Sequence, residues 1–102
     1  MSIFVSIEDR EGETIGEVYE LRELPARLPA KGLCLPYIRE TTDSFFNYLQ
    51  MPALLAELEE LAAAKQPTEV SRELERLIQS GRKCADKRDR FLRFYGETSR
   101  GE

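Results

Sequence analysis

Two apolar stripes at helical spacing, separated by a short proline-containing link, limit the folds open to this chain more than any other feature. Met51, Leu54, Leu55, Leu58, Leu61 and Ala62 recur every three or four residues, the interval that gathers side chains along one side of an α-helix. Pro52 suits the first turn, where a missing N–H is no loss, and Glu57, Glu59 and Glu60 fall on the side expected to face water. A second stripe runs through Val70, Leu74, Leu77, Ile78, Gly81 and Cys84 or Ala85. Lys65-Gln66-Pro67 ends the first helix, and Pro67 with Glu69 suits the first turn of the next. So short a link makes the two helices antiparallel neighbours. Such a pair must bury its stripes against another layer, which the remaining sequence has to supply.

That layer is a sheet. Ile3, Val5 and Ile7 alternate with Ser2, Ser6 and Glu8, Phe4 being the exception, so residues 2–8 read as a strand. Asp9-Arg10-Glu11-Gly12-Glu13 is a hairpin turn, and Thr14 to Leu24, with Ile15, Val18, Tyr19 and Leu21, is the returning strand. Val18, Leu21 and Leu24 would also suit a helical turn at its far end. Pro25, Pro29 and Pro36 break regular structure across 25–36, leaving Leu28, Leu33 and Leu35 as apolar anchors of an irregular connection. Tyr37 to Ser44 is polar and turn-prone. Phe45-Phe46-Asn47-Tyr48-Leu49 reads as a third strand, with Phe46 and Tyr48 on one face and Phe45 on the other, and Phe91 to Tyr95 as the last. The expected fold is α+β: a small antiparallel sheet with the helical hairpin packed on one face. A single domain is expected over 1–97, with 98–102 expected to be a frayed tail.

The 102 residues allow one domain with one core. No stretch approaches the roughly 20 apolar residues of a membrane span. Met1-Ser2-Ile3-Phe4-Val5 has neither a basic start nor a long apolar run, so the expected location is the cytoplasm. Cys34 and Cys84 lie outside any C-x-x-C spacing and read as free thiols used in packing. Histidine is absent, which excludes Ser-His-Asp and Cys-His catalysis, and no glycine lies in a phosphate-loop frame. Glu40 with Asp43, or Glu8 with Asp9, are conceivable acid–base pairs. With 19 acidic residues such neighbours are commonplace, so a small hydrolase using Asp43 is the least favoured reading. No catalytic residue, metal or cofactor is expected.

The charge is uneven. Residues 1–24 hold Glu8, Asp9, Glu11, Glu13, Glu17, Glu20 and Glu23 against Arg10 and Arg22, a balance of −5. Residues 82–93 hold Arg82, Lys83, Lys87, Arg88, Arg90 and Arg93 against Asp86 and Asp89, a balance of +4. Asp86 with Arg90, and Asp89 with Arg93, would pair locally if the helix continued that far. An acidic hairpin suits a basic protein surface better than DNA phosphates. Tyr37, Arg39, Asp43, Asn47, Tyr48 and Gln50 form the densest group of recognition-type side chains, on a loop, a short strand and a helix start. Asn47 and Gln50 could equally serve backbone N–H groups at that helix start, and Asp43 a turn.

Asp43-Ser44-Phe45-Phe46-Asn47-Tyr48-Leu49-Gln50-Met51-Pro52, the following leucines, and Phe91-Leu92-Arg93-Phe94-Tyr95-Gly96-Glu97 together resemble a set of small uncharacterised bacterial proteins. Those share a D-[ST]-x-F-N-x-L-Q-x-P core, a leucine-rich helix and a terminal Y-L-x-F-x-G-[DE] strand. Here Phe91 stands in place of the tyrosine and Tyr95 in place of an aliphatic residue. The resemblance covers about residues 35–97; it implies a bacterial cytoplasmic protein and a fold, and no catalytic residue. In size, acidity and lack of histidine the chain is also similar in type to the immunity proteins of toxin systems. The resulting expectation is a non-catalytic protein-interaction domain of immunity type. Its partner-binding residues are Glu8, Asp9, Glu11, Glu13, Tyr37, Arg39, Asp43, Asn47, Tyr48 and Gln50. The expected partner is another protein with a basic surface, with no membrane and with nucleic acid disfavoured, and the sequence is also compatible with a homodimer. A nucleic-acid-associated regulator using residues 82–93 is the rival reading.

Overall fold

A computed structural model describes residues 2–39 and 41–96. The tail at 98–102, and Glu40 of the proposed carboxylate pair, lie outside the described residues. Four strands, β1 (Ile3–Glu8), β2 (Thr14–Leu21), β3 (Ser44–Phe46) and β4 (Phe91–Tyr95), form one antiparallel sheet in the order β2-β1-β4-β3. Helices α1 (Met51–Ala63) and α2 (Thr68–Ala85) lie between β3 and β4 in the chain and pack against each other. The fold is α+β, as the sequence implies.

The alternation of β1 turns Ile3 and Val5 into the core, where Val5 faces Tyr19 on one side and Phe94 on the other. Leu92, Phe94 and Phe46 share that face, the last two in an edge-on ring contact at 5.7 Å. Against them lie Met51, Leu54 and Leu58 of α1 and Val70, Leu74, Leu77 and Cys84 of α2, all in one cluster. Leu58 and Leu77 are fully buried, in the phase their periodicity predicts. Both cysteines are buried and free. Burial pushes the Cys84 thiol up to about 11, with Arg90 pulling weakly the other way.

Four details depart from the sequence reading. Strand β2 ends at Leu21 and is followed by a tight turn at Leu24–Arg27. Glu73 of α2 captures the chain there, accepting the N–H groups of Arg22, Glu23 and Leu24 at 3.2, 3.1 and 2.9 Å. Glu57 does not face water. Half-buried, it accepts from the backbone of Leu33, Cys34 and Leu35 at 2.9, 3.1 and 3.0 Å, and so anchors the proline-rich connection to α1. Gly32 permits this approach: its φ is +141°, and a Cβ there would lie 2.5 Å from Glu57 Oε1. Leu33, expected as an apolar anchor, is 76% exposed.

The third strand is shorter than expected. Asn47 Oδ1 accepts from the N–H of Leu49 and Gln50 at 3.0 and 3.2 Å, while Gln50 Oε1 accepts from Asn47 N–H at 2.9 Å. This reciprocal cap folds residues 47–50 into a turn leading to α1. Tyr48 therefore does not share a strand face with Phe46. The second helix ends at Ala85, so Asp89 and Arg93 are not helical neighbours: Arg90 pairs with Asp89 at 3.4 Å, and Arg93 belongs to β4.

Candidate functional site

The helices cover one face of the sheet. The other carries Phe4, Ser6 and Glu8 from β1, Phe91, Arg93 and Tyr95 from β4, and Phe45 from β3, because alternate residues of each strand point away from the core. Arg93 organises this face. Its Nε and Nη2 donate to the two carboxylate oxygens of Asp43, both at 2.7 Å, and its Nη1 donates to Glu8 Oε2 at 3.0 Å. Ser6 Oγ donates to the same Glu8 oxygen at 2.9 Å. The guanidinium lies 4.3 Å from the Tyr95 ring centre and 5.4 Å from that of Phe45, and Phe4 stacks on Tyr95 at 5.6 Å. Asp43 first, and then Glu8, hold the guanidinium's proton more firmly than usual, against the opposing effect of burial.

This arrangement redistributes the expected partner-binding residues. Glu8 is only 4% exposed, so it is not part of an acidic rim; its charge is used within the fold. Asp9 Oδ1 accepts from the N–H of Glu11 and Glu13, both at 2.9 Å, which shapes the hairpin turn. Asp43 is clamped by Arg93, and Asn47 and Gln50 cap each other. Glu11, Glu13, Tyr37 and Arg39 remain exposed, and Tyr48 is half-buried with the Arg88 guanidinium 5.7 Å from its ring centre.

The strand order sets the distance between the exposed groups. The hairpin joins β1 to β2 at one edge, while β3 is the opposite edge. At about 4.8 Å per strand, the tip and the Asn47–Gln50 turn lie at the same end but roughly 10–15 Å apart. Tyr37 is at the other end of β3, where its carbonyl accepts from Ser44 Oγ at 3.0 Å. The surface is therefore not one continuous acidic patch.

A different feature emerges along β3. Tyr37, Phe45 and Leu49 are 63%, 50% and 70% exposed, and they account for three of the five large apolar side chains exposed among the described residues. Phe45 and Leu49 carried no site assignment in the sequence. Strand alternation at Phe45 and the turn-forming Asn47 are the signals that place them outward. The basic stretch is partly consumed: Arg82 pairs with Glu59 at 3.3 Å, Arg90 with Asp89, and Arg93 with Glu8 and Asp43. Lys83, Lys87 and Arg88 remain exposed.

Among the described residues, no helix is long and apolar enough to cross a membrane, and no group of three or more acidic or cysteine side chains is placed to hold a metal ion. Fold and surface together define a small α+β domain with one sheet face covered by two helices and with exposed Tyr37, Phe45 and Leu49 on and beside one edge strand. No family model, curated protein sequence or solved structure matches the chain.

Proposed function

We propose that the protein is a non-catalytic interaction domain that docks a basic protein through the β3 margin, in the manner of an immunity-type inhibitor. The observation that carries this reading is the exposure of Tyr37, Phe45 and Leu49 along the length of a three-residue edge strand and its two flanks. Large aromatic and apolar side chains of this kind supply the anchors of protein interfaces. The Asp43–Arg93 pair lies against Phe45 and ties β3 to β4, which supports a preformed anchor at that position and a lower ordering cost of association. Glu11 and Glu13, exposed at the hairpin tip, favour approach by a positively charged partner.

The test is site-specific photo-crosslinking in the source cell, with p-benzoylphenylalanine in place of Phe45 and, as control, in place of exposed Glu75 on α2. A discrete adduct with a basic protein at position 45, absent at position 75 and lost in a Tyr37→Ala, Leu49→Ser background, is the expected result. Equal labelling at the two positions, or none at 45, would contradict the reading.

A further inference from the structure

A second site lies at the opposite edge of the sheet. Across the β1–β2 pair Val5 faces Tyr19 but Ile7 faces Ile15, so Gly16, Glu17 and Val18 stand opposite Ser6 alone. The surplus residues bulge away, and Gly16 adopts the φ of +80° that the departure requires. The bulge leaves a cleft of about 450 Å³ between β2 and α2, a size suited to a small molecule.

Its chemistry is specific. Ile7 and Ile15 provide an apolar floor, and Arg76, Lys83 and Arg90 line the cleft together with the carboxylate of Glu17, Arg90 being also paired with Asp89 at 3.4 Å. Lys83 makes no ion pair among the described residues. The Arg76 guanidinium stacks 4.0 Å from the Tyr19 ring centre, leaving its N–H edge for hydrogen bonding. That edge meets only Glu17, at 3.6 Å, through a carboxylate side chain that is 89% exposed. Such a contact is weak, and an anion seated in the cleft would take its place.

Hydroxyl groups complete the site. Tyr19 Oη and Ser80 Oγ lie 2.6 Å apart, and Ser80 Oγ is also 3.1 Å from the Arg76 carbonyl. Ser80 has one proton to give. When it bonds the Arg76 carbonyl, Tyr19 donates to Ser80; when it turns to Tyr19, the phenol proton is freed for a ligand. Burial raises the Tyr19 pKa, outweighing the effects of Ser80 and Arg76, and so keeps that proton in place.

We propose that this cleft binds a small organic anion, a carboxylate or phosphate monoester on an apolar body, with Arg76 and Lys83 holding the charge and Ile7 and Ile15 the body. The site is separate from the β3 margin, and its occupancy does not depend on the protein-docking reading.

Titration of the full chain with phenyl phosphate and with benzoate, followed by amide NMR shifts, tests the site. Saturable shifts should centre on Gly16, Gln79, Ser80 and Lys83, and the tighter of the two probes identifies the head group. Inorganic phosphate, lacking the body, and phenol, lacking the charge, should each bind about tenfold more weakly. Lys83→Gln should weaken the better probe about threefold or more, whereas Glu17→Gln should tighten it, because a competing carboxylate is removed. Both substitutions are at exposed positions, so folding is preserved. Absence of saturable shifts for both probes, phenol binding as well as phenyl phosphate, or Glu17→Gln failing to tighten binding would overturn the assignment.

Discussion

Arg93 and Asp43, fifty residues apart in sequence, meet in a two-pronged ion pair with both N–O distances at 2.7 Å. The pair ties the edge strand β3 to β4 on the face the helices leave uncovered. Through Nη1 the same guanidinium neutralises Glu8, whose side chain is 6% exposed. Replacing Arg93 with Ala strips a buried carboxylate of its partner and should destabilise the protein by about 3–5 kcal/mol. Lysine cannot span both carboxylates and should recover only part of that. Urea unfolding of the two variants measures the difference.

Glu57 gives a second expectation. It accepts from three consecutive backbone N–H groups, and Gln in its place puts an NH₂ where one acceptor oxygen stood. A loss of about 1–3 kcal/mol is expected. Gly32→Ala should act on the same contact from the other side, since its Cβ would meet Glu57 Oε1 and its φ is unfavourable for alanine. Being in one contact, the two changes should combine less than additively, which a double-mutant cycle in denaturant would read.

Leu58 and Leu77 are each wholly removed from solvent. Truncating either to Ala should destabilise by about 2–5 kcal/mol, measured by chemical unfolding, without altering the shape of the β3 margin.

Cys84 links stability to alkaline pH. Its folded pKa, about 11, lies above the ordinary thiol value of 9.0, so the folded state retains a proton that the unfolded state releases. The associated stabilisation is complete below about pH 9 and is lost as pH rises through about 11. A Cys84→Ala variant should start less stable but show a shallower decline over that interval. Unfolding midpoints measured at a series of alkaline pH values, wild type against variant, give the slopes.

The helices were legible because burial imposes a 3.6-residue period: Met51, Leu54 and Leu58, then Val70, Leu74 and Leu77, are all buried where the spacing puts them. The hairpin was legible for a similar local reason, Asp9 and Gly12 making the turn. Strand β3 was read too long because the aromatic run Phe45-Phe46-Asn47-Tyr48 suits a strand, whereas the Asn47–Gln50 cap decides the matter locally. The strand order was not legible at all. It rests on pairings such as Ser6 with Arg93, far apart in the chain, and with it went the burial of Glu8 and the role of Arg93. The exposed β3 margin followed only once that order was known. Tyr37 and Tyr48 were visible from their type; Phe45 and Leu49 needed the sheet.

Docking through the β3 margin is tested most directly by the kinetics of the purified complex with the partner captured at position 45. Tyr37→Ala should raise the dissociation rate about tenfold or more while leaving association nearly unchanged, since an anchor acts on the formed complex. Glu11→Lys with Glu13→Lys should do the reverse, slowing association several-fold at low salt, an effect that fades above roughly 0.15 M ionic strength. A dissociation rate unaltered by Tyr37→Ala, in a variant that folds normally, would contradict the proposed interface.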